Sequence, residues 1–478
     1  MICFLNPDGW TNKEGAMNTP FPFDGILTFA FLSSLLLVGV GLRARIGFFQ
    51  RFLVPSCLIG GLLGLVLMHS GLLILEPSVL EAFAYHMFNI SFISVGLTAD
   101  GEGGNRRGKA EMLKGPAWMA LMQGLTFPLQ AVLGGSLALL LGWFGLALFP
   151  TFGFLVPLGF NEGPGQALSI GKVWEGVGFA DAATIGLTFA AIGYFFAFFV
   201  GVPLVNRGIR KGRATFGPRS LPREVLTGFY KADDVKESAG SLTIHSGNAE
   251  TLAFQAALVG CVYGLTYLLI SAMGGLLPAD VSGMLWGFGF FFGLGIALLV
   301  KWIMARIGIR YLANAGVQRR ITGWSVDYLM VATVAAIQLK IVWDYLLPIS
   351  LIALVSGILT TALVVYFGRR LSAYSLERTA AIYGVVTGTV SCGLLLLRIV
   401  DPDFKTPVAY EIAVMNVFSL PVIGGCTLLV NGPLWWGWPL WMAILVFVAI
   451  MAVVLLLMKL MGLLNGAPAA EPLVSPSN

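Results

Sequence analysis

The chain has 478 residues, of which 57% are hydrophobic and 11% charged, and its mean hydropathy is +0.85. Soluble domains carry ~25% charged residues, so this composition excludes a water-soluble globular protein and predicts an all-α polytopic membrane protein. The net charge of +5 sits in short loops rather than on one face, which argues against a nucleic-acid partner, and the five scattered cysteines (Cys3, Cys57, Cys261, Cys392, Cys426) form no CxxC pair or Cys/His cluster, so no resident cofactor, metal centre or disulfide framework is expected.

Residues 1–23 read as a polar tail. They carry one basic residue, Lys13, and lead to no small-x-small cleavage pattern, which argues against a signal peptide; Met17 is an alternative start. A spanning helix takes ~20 apolar residues. Runs of that kind occupy 24–42, 52–72, 80–98, 116–143, 180–205, 251–273, 280–301, 323–346, 348–367, 406–430 and 436–461. With the N-terminus outside and the C-terminus inside, every Lys and Arg except Lys13, Lys172 and Lys340 falls at the inner side, as the bias of basic residues toward cytoplasmic loops requires.

Two further apolar stretches, 151–175 and 378–398, are interrupted. The first contains Gly159-Phe-Asn-Glu-Gly-Pro-Gly-Gln-Ala167 and the second Tyr383-Gly-Val-Val-Thr-Gly-Thr-Val-Ser-Cys-Gly393. The clustered glycines and the proline oppose a continuous helix. Broken backbone at membrane depth survives only where protein or a water-filled site satisfies it. Both stretches are therefore expected to be re-entrant hairpins: half-helix, polar tip, half-helix.

Five spans plus a hairpin fill 24–206, and five more plus a hairpin fill 250–431. The first set starts outside and the second inside, so they form an inverted repeat, the plan of alternating-access carriers. The 207–249 segment reads as a cytoplasmic linker, 436–461 as an added eleventh span with a tryptophan belt, and 462–478 as a tail.

Half-helix N-termini present free N–H groups and a partial positive charge, which suit a carboxylate. The candidate substrate site is accordingly Asn161, Glu162, Gly163, Gly165, Gln166 and Ser169 from the first hairpin with Thr387, Gly388, Thr389 and Ser391 from the second. Intramembrane carboxylates are functional by default, so Glu162 is the leading ion-coupling candidate, holding a cation, a proton or a substrate ammonium; its alternatives are outside water or a pair with Lys172. Asn89, Ser94, Gln338 and Asn416 are further ion-coupling candidates. Spans one, four, six and nine are poorest in polar groups and are expected to form the scaffold and dimer face. No arrangement of nucleophile and base suggests an enzyme.

Phe52-Leu-Val-Pro-Ser-Cys-Leu-Ile-Gly-Gly61, Phe92-Ile-Ser-Val-Gly-Leu97, Lys172, Gly178-Phe179 and Ala183-Thr184, together with the five-plus-five order and the long middle loop, resemble the bacterial sodium/glutamate symporters over about 24–431. The chain resembles a divergent member, with Asn161-Glu-Gly-Pro-Gly-Gln166 where that family has a Gly-Gly-His-Gly-Thr-Gly type of tip. The resemblance implies sodium as coupling ion, an acidic amino acid as substrate, a homodimer in the bacterial inner membrane, and a transport domain sliding against a scaffold. The expected function is sodium-coupled symport of glutamate or a related small carboxylate-bearing solute. A proton-coupled carrier or an exporter of another small organic solute is the alternative; an ion channel or non-transporting receptor is the reading from a different class.

Overall fold

A computed structural model describes residues 23–71, 75–98, 109–216, 221, 223–230, 238, 240–277, 279–402 and 404–464. The expected N-terminal tail apart from Phe23, most of the C-terminal tail and parts of the 207–249 linker lie outside the described residues. All regular structure among the described residues is helical.

Short turns aside, the helices in chain order are α1 (Asp24–Arg45), α2 (Ser56–His69), α3 (Pro77–Thr98), α4 (Lys109–Trp143), α5 (Leu155–Phe160), α6 (Pro164–Gly176), α7 (Ala182–Phe195), α8 (Gly201–Arg210) and α9 (Thr251–Gly274). They continue with α10 (Ala279–Gly287), α11 (Gly289–Arg306), α12 (Ala315–Ala335), α13 (Leu346–Gly368), α14 (Ser375–Thr387), α15 (Val390–Val400), α16 (Val408–Leu429) and α17 (Leu440–Leu460). A π-helical turn at Phe196–Val200 joins α7 to α8.

Eight of the described helical spans are long and apolar enough to cross a membrane, or nine if the bent α16 counts as one. The bend in α16 is 47° between Asn416 and Phe418. Its cause is Pro421, whose ring opposes the carbonyl four residues earlier. The chain is thus a multi-pass membrane protein with fewer full-length spans than the eleven apolar runs suggest. In 52–72, Pro55 disfavours helix at Val54 and Leu53 takes φ 51°, so only the 14-residue α2 forms. The 280–301 run breaks at Phe288 between α10 and α11. In 323–346, α12 ends at Ala335, and the next helical turn, Leu339–Asp344, begins after Gln338.

Lipid supplies no hydrophobic drive between helices, so close approach through small residues carries the packing. One group contains α1, α2, α3, α9, α11 and α12. There, a Cβ at Gly60 would stand 2.7 Å from the Leu35 carbonyl oxygen, one at Gly61 2.7 Å from Val334 Cβ, and one at Gly96 2.6 Å from Ala297 Cβ. The second group centres on the 35-residue α4, which packs against α13, α14, α16 and α17. Gly134 of α4 and Gly153 touch backbone to backbone, leaving no room for a side chain on either.

Spans one, four, six and nine, expected to form the scaffold and dimer face, do not pack into one group within the chain. Span one (α1) packs with α2 and α12 and span six (α9) with α3, α11 and α12, whereas spans four and nine (α4, α13) pack with each other and with the interrupted helices. The physical reason is a buried polar stripe on α4, described below.

Candidate functional site

Two helix–tip–helix units form where the glycine-rich stretches predict them. In the first, α5 ends at Phe160, and Gly163 takes φ 89°, ψ −176° before Pro164 opens α6. Proline is preorganised for the first helical position, and only glycine readily adopts the preceding conformation. In the second, α14 ends at Thr387, Gly388 takes φ −153° and ψ −97°, Thr389 is extended, and α15 starts at Val390. The halves of this unit press together at Gly384, where a Cβ would lie 2.6 Å from the Gly393 nitrogen.

The units approach from opposite ends of α16. At the open end of the first, Trp174 Nε1 donates to Asn431 Oδ1 (2.7 Å), just beyond the C-terminus of α16. At the open end of the second, Arg378 Nη2 donates to Glu411 Oε1 (2.6 Å) in the first turn of α16. Their tips meet: a Cβ on Gly163 would stand 2.9 Å from Thr389 Cγ2 and 3.2 Å from the Gly388 carbonyl oxygen. The N-termini of α6 and α15 therefore start from one shared junction, each with unsatisfied first-turn N–H groups.

Buried polar atoms gather at the first tip. Asn161 Nδ2 donates to Thr126 Oγ1 of α4 (2.9 Å), while Asn161 Oδ1 has no partner. Glu162 Oε1, both amide atoms of Gln166 and Ser169 Oγ are likewise enclosed without a partner. Each such group costs roughly 1–3 kcal/mol when left unpaired, so these atoms are suited to complete their bonding with a polar ligand or ion. Lys172 is not the partner of Glu162: Lys172 Nζ lies 2.6 Å from Glu81 Oε2 on α3 and 2.8 Å from Glu175 Oε2. That pairing ties α6 to the other helix group.

The remaining expected residues are distributed as follows. Gly165 lies against the Phe88 ring of α3, with no room for a Cβ. Thr387 is buried and its hydroxyl donates to the Tyr383 carbonyl (2.7 Å). Thr389 Oγ1 reaches Cys392 Sγ (3.6 Å), and Ser391 is exposed. The ion-coupling candidates outside the tips are not drawn into this junction by any described contact. Asn89 Nδ2 donates to the Tyr85 carbonyl (2.8 Å), and its Oδ1 faces Gly289 at the α10–α11 break. Ser94 is buried further along α3, Gln338 Nε2 sits 3.5 Å from Thr184 Oγ1, and the Asn416 carbonyl accepts from Ser419 Oγ (3.4 Å).

The structure adds residues that the polar inventory of the sequence passes over. On α4, Gln123, Thr126 and Gln130 are buried, and their spacing of three and four puts them on one helix face. Gln130 Nε2 donates to the Val386 carbonyl (3.1 Å) and to Thr360 Oγ1 (3.2 Å), while Thr126 holds Asn161. One helix therefore fixes both tips. Tyr194 is buried against Gly388. Asp327 of α12 is a carboxyl group inside an apolar run, and nearby the Cys57 thiol donates to Met330 Sδ (3.3 Å). Gln130→Leu leaves the Val386 carbonyl without its side-chain donor, and it is expected to lower stability by ~1–3 kcal/mol, measured by unfolding of the purified protein in detergent.

The fold and this junction define a class: a multi-pass α-helical membrane protein with two interrupted helix pairs meeting at a polar centre. No family model matches the chain, and no curated protein matches it.

Proposed function

We propose that the chain is a secondary active transporter, a sodium-coupled symporter of a small carboxylate-bearing solute of the acidic amino-acid kind. One observation carries the reading: two interrupted helix pairs, entering from opposite ends of α16, meet tip to tip beside enclosed, unpartnered polar atoms. In carriers with inverted repeats, half-helix N-termini face anionic substrate groups, and unwound backbone coordinates the ion. Here the N-termini of α6 and α15 take the carboxylate, Gln166 and Ser169 orient it, and Glu162 with the tip carbonyls holds the cation. The two pairs are re-entrant hairpins of inverted five-helix repeats. The helix group around α4 moves against the group around α3 and α12 as the site alternates between the two sides, in a homodimer of the bacterial inner membrane.

The energetics suffice for accumulation. One net positive charge moving inward through 100 mV contributes ~2.3 kcal/mol, roughly fifty-fold in concentration.

The test is uptake into proteoliposomes of labelled glutamate, aspartate and related dicarboxylic acids, with and without an inward sodium gradient. The expected result is sodium-dependent uptake of an acidic amino acid, reduced at least tenfold in Glu162→Gln. Uptake that ignores sodium and follows a proton gradient would replace the coupling ion. A bilayer conductance far above carrier turnover would replace transport by a channel.

A further inference from the structure

The basic end of the bundle holds a cleft outside the tip junction. It lies between the last turns of α8 and the connection from α13 to α14, encloses about 50 Å³, and is lined by Arg207, Lys211, Arg213 and Arg369, with Leu204 and Val365 in its apolar wall. Arg207 and Lys211 are four residues apart on α8 and share its face. None of the four cations has an acidic partner within 4 Å among the described residues. The neighbouring acid, Glu377, is fully buried and accepts from the Thr215 backbone N–H (2.7 Å).

We propose that this cleft binds a phosphate group, carried either by an anionic phospholipid of the adjacent leaflet or by a soluble phosphate. Four like charges held together repel one another, and an anion among them offsets that repulsion. The 13-residue α14 begins at the cleft with Ser375, so the positive end of a helix dipole adds to the same field. The cleft is small and lined by basic side chains, which suits a single phosphate group. Guanidinium groups match phosphate oxygens with paired hydrogen bonds. The apolar wall formed by Leu204 and Val365 runs along the flank of two membrane helices, where an acyl chain can lie. Basic pockets between membrane helices at the bilayer surface favour anionic headgroups. These features rank the lipid ahead of a soluble phosphate.

The experiment titrates the full-length protein in detergent with phosphatidylglycerol and phosphatidylcholine, read by native mass spectrometry. In a second arm, inorganic phosphate is added to delipidated protein and read by thermal shift. Arg207→Gln/Arg369→Gln is compared with wild type and with Arg319→Gln on another basic loop; elution of a single peak on size exclusion confirms that each variant folds. The expected result is preferential binding of phosphatidylglycerol, weakened about thirtyfold in the double variant and unchanged in Arg319→Gln. That factor corresponds to ~1 kcal/mol for each basic residue removed. A phosphate-induced shift lost in the double variant, without lipid preference, supports the site and assigns it to a soluble phosphate. No preference between the lipids together with no phosphate shift, or a double variant that binds like Arg319→Gln, overturns the proposal.

Discussion

Gly163→Ala is expected to reduce sodium-driven uptake about a hundredfold while leaving the protein folded and in the membrane. Two independent effects act at this position. Gly163 has φ 89° and ψ −176°, a region that is essentially confined to glycine and holds ~1–3 kcal/mol of strain for other residues. The added Cβ would also stand 2.9 Å from Thr389 Cγ2 of the facing tip, closer than ordinary van der Waals contact. The first tip must turn or the second must retreat, and displacement of a binding group by ~1 Å is enough for a hundredfold loss. The design separates the two causes. Gly163→Ala with Thr389→Ser removes the colliding methyl and keeps the backbone strain, so partial recovery is expected. Gly176→Ala, at the far end of the same helix where a Cβ meets nothing within 4 Å, is expected to transport like wild type. Wild-type uptake by Gly163→Ala would show that the tips do not need their close approach.

The two helix breaks at the tips were legible because their signal is local. Glycine and proline act on the residue that carries them and its immediate neighbours, and the expected 151–175 unit becomes Phe152–Gly176 in the structure. Span length was less legible, because hydropathy averages over breaks: the 280–301 run is apolar throughout, yet Gly287 and Gly289 allow it to part at Phe288, where Asn89 approaches. The stripe of Gln123, Thr126 and Gln130 lay open in the spacing of α4, but its polarity is diluted by the apolar residues around it. The partners of Lys172 and Arg378 had no local trace. Glu81 is 91 residues before Lys172 and Glu411 is 33 residues after Arg378, separations that carry no periodic pattern. Charge type alone therefore could not distinguish a Lys172–Glu162 pair from the observed Lys172–Glu81 pair.

Arg378→Ala is expected to lower stability by ~3–5 kcal/mol, the cost of leaving one member of a buried ion pair without the other. Arg378 Nε lies 2.8 Å from Glu411 Oε2 and Nη2 lies 2.6 Å from Oε1, with side chains only 12% and 4% exposed. Gly115 of α4 lies directly against the same carboxylate, leaving no room for a Cβ, so α4 closes one side of Glu411 and offers it no replacement donor. The converse variant, Glu411→Gln, is milder. Its amide oxygen can still accept from the guanidinium, Arg378 Nη1 keeps the Ala373 carbonyl (3.0 Å), and a long basic side chain can reach toward the membrane surface. Arg378→Lys falls between them, because an ammonium cannot make the paired bonds. Replacing both residues with apolar ones of similar size, Arg378→Met with Glu411→Leu, removes the stranded charge and is expected to recover most of the stability. Unfolding of all four proteins in mixed detergent micelles measures this order. A double variant as unstable as Arg378→Ala would mean that the loss comes from packing around α14 rather than from the uncompensated carboxylate.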